Sequence, residues 1–167
     1  VLFRSEDFRV DEVLGFAADG AGEHVMLKVE KRGANSAWVA KELAHLAGVP
    51  ARAVSYAGRK DRHAVAVQHF TVFLGKRTEP DWLAYSHPEF RVLAAARHRR
   101  KLRLGALKGN RFSLVLRELS VPASMLQPRL EQIRRQGVPN YFGPQRFGRD
   151  GTNIERAAAF FSGQVSI

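Results

Sequence analysis

The stretch Val54-Ser55-Tyr56-Ala57-Gly58-Arg59-Lys60-Asp61-Arg62-His63-Ala64-Val65-Ala66-Val67-Gln68-His69-Phe70-Thr71-Val72-Phe73-Leu74 decides how the chain folds. Val54 and Tyr56 begin a short strand, and residues 65–74 form a longer β-branched and aromatic run, the composition that suits a pleated, half-buried surface. Between them, residues 58–63 are polar and turn-forming. Strand, charged loop and strand together describe a rigid scaffold presenting a segment able to carry function.

Outward from this unit towards the N-terminus, Phe8-Arg9-Val10-Asp11 and then Val25, Leu27 and Val29 alternate as half-buried strands do. The turn-rich Ala18-Asp19-Gly20-Ala21-Gly22 between them predicts that they form an antiparallel pair. Asn35 or Ser36 is suited to cap a helix with Val39, Leu43 and Leu46 at helical spacing, and Gly48 and Pro50 stop it. Towards the C-terminus, residues 91–96 and 111–119 read as strands, the second with Phe112, Leu114 and Leu116 on one face. A further helix begins near Pro122 and carries Met125, Leu126, Leu130 and Ile133. Mixed strands and helices without a regular βαβ rhythm predict an α+β fold, with helices on a largely antiparallel sheet. No internal repeat or low-complexity linker divides the chain, and the Gly-rich residues 137–151 are the best boundary that composition offers.

With 167 residues and 45% apolar content the chain can bury one core. Its 27 Lys+Arg against 16 Asp+Glu give a net charge of +11, which makes a polyanion, and a nucleic acid first of all, the expected partner. The absence of Cys excludes disulfides, Cys-ligated zinc and thiol catalysis. No apolar run approaches the ~18 residues of a membrane span and no secretory leader opens the chain, so a cytoplasmic protein is expected. The opening Val1-Leu2-Phe3-Arg4-Ser5 lacks an initiator Met and the chain stops at Ile167 soon after a helical pattern, so a fragment of a longer protein is expected.

Three segments carry candidate chemistry. Gly58-Arg59-Lys60-Asp61-Arg62-His63 sets one carboxylate among three cations and an imidazole. Positive neighbours favour the ionised acid, so Asp61 is available as a nucleophile or general base; equally, Asp is a common turn-former whose side chain bonds its own backbone. Arg97-His98-Arg99-Arg100-Lys101-Leu102-Arg103 holds five Lys/Arg in seven residues, with Lys108 and Arg111 close behind. It reads as a phosphate-binding footprint or as a solvated face of a basic chain. In Leu107-Lys108-Gly109-Asn110-Arg111-Phe112 the amide suits a base edge and the ring a base face, while a plain turn and core are the alternative. The aromatic and Gly-rich residues 140–148 read as a structured loop that either holds an RNA strand or is a packed hairpin filling a groove beside the sheet.

Other chemistries lack their signatures. There is no phosphate-binding Gly-Lys-Ser/Thr loop, and Gly20-Ala21-Gly22 is followed by Glu23 and not by a dinucleotide fingerprint, so no nucleotide cofactor is expected. The histidines 24, 45, 63, 69, 87 and 98 do not form a metal-binding helix pattern, so no metal is expected, and no Gly-x-Ser-x-Gly elbow supports a hydrolase.

Taken together, residues 55–65 with Gln68, residues 97–110, and Val138-Pro139-Asn140-Tyr141-Phe142-Gly143-Pro144-Gln145-Arg146-Phe147-Gly148 closely resemble the TruD family of tRNA pseudouridine synthases. The resemblance runs from about Ser5 to at least Phe161 and takes in Glu6-Asp7-Phe8 and Leu14-Gly15-Phe16. It implies a pseudouridine-synthase-type catalytic domain, a largely antiparallel mixed sheet flanked by helices. The implied activity is isomerisation of a tRNA uridine, typically at position 13, to pseudouridine without a cofactor. The family's nucleophilic aspartate falls on Asp61, and its substrate-contacting Phe and Asn fall on Phe8 and Asn110, with Phe112 the aromatic after the Asn. From their charge, Lys60 and Arg62 are expected to hold RNA phosphates or to balance Asp61, and Arg99, Arg100 and Lys101 to bind the RNA backbone.

Residues 1–4 lack the Lys-bearing segment that precedes Glu-Asp-Phe in the family and read as foreign to it. Family members are about twice this length, so residues 5–135 are expected to be the N-terminal part of the catalytic domain and 136–167 the truncated start of an inserted domain. The expected partner is tRNA, with no membrane and no obligate protein partner. The competing readings are a non-catalytic basic RNA-binding module, in which Asp61 is only a turn residue, and a structural protein of a ribonucleoprotein.

Overall fold

The computed structural model describes residues 4–139, 141, 143–148 and 151–164. The chain's contacts divide it into two compact units, residues 1–118 and 119–167. This break comes before the helix predicted near Pro122, whereas the Gly-rich residues 137–151 come after it.

Among the described residues, seven strands, one α-helix and two short 3-10 helices build the first unit: β1 (Phe8–Val13), β2 (His24–Lys31), α1 (Ser36–Leu46), β3 (Val54–Tyr56), β4 (Val65–Phe73), β5 (Ser86–His87), β6 (Phe90–His98) and β7 (Gly109–Leu114), with the 3-10 turns at Ser5–Asp7 and Ala51–Ala53. The sheet order is β5-β6-β2-β4-β1-β7, with β3 also paired to β4. One pairing, β1 with β4, is parallel, and the others are antiparallel. The α+β class with a mixed, largely antiparallel sheet is therefore present.

The expected antiparallel pair of β1 and β2 is not formed. β4 stands between them, pairing Val10 with Ala66 on one side and Lys31 with Ala66 on the other. Local alternation identifies strands but not neighbours, and the ten residues 14–23 between them are long enough to pass the chain around an intervening strand.

β4 lies in the middle of the sheet, with β2 along one edge. Along its second edge β1 pairs with residues 65–67 and β3 with residues 70–72. Val25, Leu27 and Val29 of β2 and Phe70 and Val72 of β4 share one face and bury against Val39, Ala40, Leu43 and Ala44 of α1. This is the main core. Under the opposite face, Met26 packs with Leu14, Ala57 and Leu102, so residues 99–107 cover the back of the sheet.

Asn35 takes the N-cap position of α1, but its side chain makes no capping bond, and Ser36 is the first helical residue with its hydroxyl directed elsewhere. Gly48, at φ +60°, ends the helix as expected. β7 is shorter than the predicted 111–119. It stops at Leu114, so Leu116 lies outside the strand, and Phe112 and Leu114 are exposed on an edge. The chain turns there because the Val115 N–H donates to the Asp7 carbonyl, and Arg117 forms an ion pair with the fully buried Asp7 carboxylate at 2.8 Å.

The second unit contains α2 (Ala123–Gln136), a short 3-10 helix (Pro144–Phe147) and α3 (Thr152–Phe161). Met125, Leu130 and Ile133 of α2 are exposed, as are Ile154, Phe160 and Phe161 of α3. Asn140 and Phe142 of the aromatic loop, and the opening residues 1–3, lie outside the described residues.

Candidate active site

Parallel pairing sets Arg9 beside Val65, so β1 and β4 begin at the same end of the sheet, and the loop leading into β4 arrives there beside Phe8. Antiparallel β7 sets Leu114 opposite Phe8, Phe112 opposite Val10 and Asn110 opposite Glu12. Directly opposed residues share a face, so Phe8, Phe112 and Asn110 lie on one side of the β1–β7 ribbon. The Phe8 and Phe112 rings are stacked, with centroids 6.1 Å apart and planes 13° from parallel. Phe8 also packs on Val10, Ala64 and Ala66, while Phe112 is 58% exposed and presents a ring to solvent.

The loop of residues 57–64 is held from below by buried polar groups. Ser36 Oγ donates to Gln68 Oε1 at 2.8 Å and accepts the Lys60 backbone N–H at 3.1 Å. Gln68 Nε2 donates to the Gly58 carbonyl. Lys31, at the end of β2 and 1% exposed, donates from Nζ to the carbonyls of Ala34 and Asp61, both at 2.9 Å. Arg62 Nε donates to the Gly33 carbonyl, and the Gly33 N–H returns a bond to the Arg62 carbonyl. The backbone of the loop is thus fixed on both sides of Asp61.

Asp61 itself is exposed. Its Oδ1 accepts the His63 N–H at 2.8 Å, an Asx turn that sets the side-chain rotamer. The turn role foreseen for this residue is therefore present, and among the described residues no protein donor reaches the second oxygen, Oδ2.

Lys60 does not stand free beside Asp61. Its ammonium lies 3.0 Å from Glu12 Oε2, with the two side chains 6% and 0% exposed. Glu12 Oε1 accepts the His69 backbone N–H at 2.9 Å and meets His69 Nδ1 at 3.2 Å. Burial alone would raise the Glu12 carboxyl, but the bonds from His69 and Lys60 outweigh it and hold the group below the usual carboxylate range. Lys31 is moved the other way: burial pushes its ammonium down to about 8, against the attraction of Asp61 and with the repulsion of Lys60.

Glu12, Lys31 and His69 were not singled out as site residues by sequence reasoning, and Ser36 was considered only as a helix cap. A signal for two of them exists. Phe8, Val10 and Glu12 occupy alternate positions of β1, and Val25, Leu27, Val29 and Lys31 those of β2, so each strand puts a charge where its pattern calls for an apolar residue.

Arg99, Arg100 and Lys101 are placed apart from the loop. They line a cavity of about 700 Å³ with Phe16, Asp19, His98 and Arg103, and no residue of the 57–64 loop contributes to it. Its walls are fixed: Leu102 N–H donates to Thr71 Oγ1 at 2.9 Å, Asp19 Oδ2 accepts Arg99 N–H at 3.0 Å, and the Phe16 and His98 rings stack at 6.0 Å. Gly22 is required here. At φ +114° a Cβ would lie 2.5 Å from the His98 carbonyl oxygen. Among the described residues no group of three or more His, Cys, Asp or Glu is placed to hold a metal, and no helix is long and apolar enough to cross a membrane.

Comparison with known proteins bears on this arrangement. The family model for tRNA pseudouridine synthase D (TruD) matches residues 3–158. The chain is 50% identical over 156 residues to the tRNA pseudouridine synthase D of Xanthomonas euvesicatoria pv. vesicatoria, covering 93% of this chain and 42% of the relative. It is 48% identical over 162 residues to the protein of that name from Proteus mirabilis, covering 97% and 46%. A crystal structure from Methanosarcina mazei assigned to the same family superposes with a TM-score of 0.75 at 28% identity, over 95% of this chain and 40% of that one. The chain spans less than half the length of these relatives.

Proposed function

The chain belongs to the tRNA pseudouridine synthase D family, and on that premise we propose that it is the N-terminal part of an enzyme that isomerises a uridine of tRNA, at position 13, to pseudouridine. The observation that carries this reading is the loop of residues 57–64. Ser36, Gln68 and Lys31 hold its backbone from within, while Asp61 stands exposed with Oδ1 fixed by the His63 N–H. A reactive group needs this combination of a rigid support and an accessible atom.

In the reaction the N1–C1′ glycosidic bond breaks, the uracil turns, C5 bonds to C1′, and the C5 hydrogen leaves as a proton while N1 gains one. Product and substrate are isomers, so no redox partner or cofactor is called for. We assign Asp61, through Oδ2, as the nucleophile that meets the substrate while the base is detached. Phe8 and Phe112 support the uracil face and Asn110 its polar edge, as an extracted base requires. Lys60 and Arg62 act by positioning the loop, through Glu12 and Gly33 respectively. Arg99, Arg100 and Lys101 take RNA phosphates. Residues 5–135 belong to the catalytic domain and 136–167 to the start of an inserted domain, and the protein works in the cytoplasm on tRNA.

The Asx turn at Asp61 favours a second reading, a non-catalytic RNA-binding module in which the carboxylate only shapes the loop. Asp61→Asn separates the two, because an amide oxygen keeps the turn bond while the carboxylate is lost. With tRNA carrying 5-tritiated uridine, the full-length protein should release tritium. The Asn variant should release at least about a thousandfold less, as removing a covalent nucleophile does, with tRNA affinity within twofold. Undiminished release by the variant overturns the assignment of Asp61, and no release by the wild type overturns the isomerase reading.

A further inference from the structure

A second cavity, of about 380 Å³, adjoins the one lined by the basic tract. It lies between the short 3-10 helix Ala51–Ala53 and the paired ends of β2 and β4, where His24 stands opposite Phe73. Its rim carries Arg52, Arg77 and Lys101, all exposed and none in an ion pair among the described residues, and no carboxylate lines it. Its floor is apolar, from Val49, Pro50 and Ala53. At one side the Phe73 ring is 38% exposed and is backed by His24, their centroids 5.0 Å apart. Lys101 lines both this cavity and the larger one, so the two share a wall.

We propose that this cavity is a subsite for one unpaired nucleotide of the RNA, its base against Phe73 and Pro50 and its phosphates on Arg52, Arg77 and Lys101. This rests on the RNA-binding reading given above and extends it to residues outside the basic tract. The volume is that of a small-ligand site. Exposed cations around an apolar floor with an accessible ring match the two parts of a nucleotide, charge at the edge and a flat face within. Continuity through Lys101 favours a nucleotide within a strand over a free one, because the strand's next phosphates then meet Arg99, Arg100 and Arg103.

The test measures tRNA binding by the full-length protein across a range of KCl, for the wild type, the Arg52→Gln/Arg77→Gln pair and Phe73→Leu. Each lost phosphate contact removes roughly 0.7–0.9 from the slope of log K against log salt, so the double variant should flatten it by roughly 1.4–1.8. Phe73→Leu should weaken tRNA binding by about fivefold, the low end of base stacking, with the slope unchanged and with no effect on a fully paired RNA duplex. Wild-type slope and affinity in all variants overturn the subsite. Competition by adenosine monophosphate at micromolar concentration, abolished in the double variant, overturns the strand assignment in favour of a free nucleotide. Tritium release from the wild-type protein in the same preparation separates failure of this site from failure of the enzyme reading: release with unaltered variant binding removes the subsite alone.

Discussion

Residues 59–63 and 97–103 look alike in sequence, each a dense run of Lys and Arg beside a histidine, but their charges are used differently. In the loop, Lys60 turns inward to the buried Glu12 and Arg62 to the Gly33 carbonyl. In the tract, Arg97 and His98 are anchored to Glu79 and Asp19, and beyond them Arg99, Arg100, Lys101 and Arg103 are exposed with no ion pair among the described residues. Lys60 and Arg62 hold a shape, whereas Arg99, Arg100, Lys101 and Arg103 face solvent. A charge that supports a loop and a charge left to solvent cannot be told apart by counting, only by what lies within 3 Å.

The contrast can be broken by substitution. Glu12→Gln leaves the Lys60 ammonium buried without its counter-charge, and removing one partner of such a pair destabilises by about 3–5 kcal/mol. Urea unfolding should show this, and Lys60→Met added to Glu12→Gln should recover most of it. A loss under 1 kcal/mol in the single variant would mean that Lys60 is free like the tract cations.

Gly22→Ala tests the wall behind the tract. With φ +114° and the His98 carbonyl in the way, about 1–3 kcal/mol should be lost, seen as a lower melting temperature.

Lys31 sharpens the picture through pH. Its folded value of about 8 lies below the ordinary 10.5, so between these pH values the unfolded chain holds a proton that the folded one has released. The contribution of this group to stability therefore rises with pH across that window. Stability curves of the wild type and Lys31→Met should diverge there, the wild type gaining relative to the variant. Parallel curves would mean that Lys31 is not desolvated. Glu12, depressed below its usual value, acts in the opposite range, and its stabilisation is lost as acid protonates it.

The smallest effect belongs to the tract. Arg99→Gln with Arg100→Gln should alter stability by no more than about 0.5 kcal/mol while flattening the salt dependence of tRNA binding by roughly 1.4–1.8. A stability change as large as that of Glu12→Gln would show that these arginines also support structure.

Strands, the helix and the loop were legible because each rests on local patterns: alternation at Val25, Leu27 and Val29, helical spacing at Val39, Leu43 and Leu46, and turn residues at 58–63. Strand neighbours were not, since the pairing of β1 with β4 and β7 joins residues about 55 and 100 positions apart and no local signal encodes it. Asp61, Asn110 and Phe112 were candidates from local chemistry with a plain turn or core as the alternative, the motif resemblance chose between these and added Phe8, and the sequence could not show that Lys60 faces Glu12. The charges at Glu12 and Lys31 interrupt apolar alternation, and that interruption was the available clue to their place beneath the loop.

The divided edge of β4 has a consequence for the order in which the molecule assembles. β3 pairs with β4 so that Val54 meets Val72 and Tyr56 meets Phe70. Continued, that register would bring Gly58 to Gln68, Lys60 to Ala66 and Asp61 to Val65, an ordinary hairpin closed by a tight tip. β1 occupies the places beside residues 65–67, and the loop is lifted out of the sheet in consequence. A nascent chain whose β1 has not yet docked is free to zip into the longer hairpin, with the aspartate locked into a ladder. β1 is thus the wedge that keeps the loop open, and a delay in its docking would leave a folded-looking sheet with Asp61 shut away.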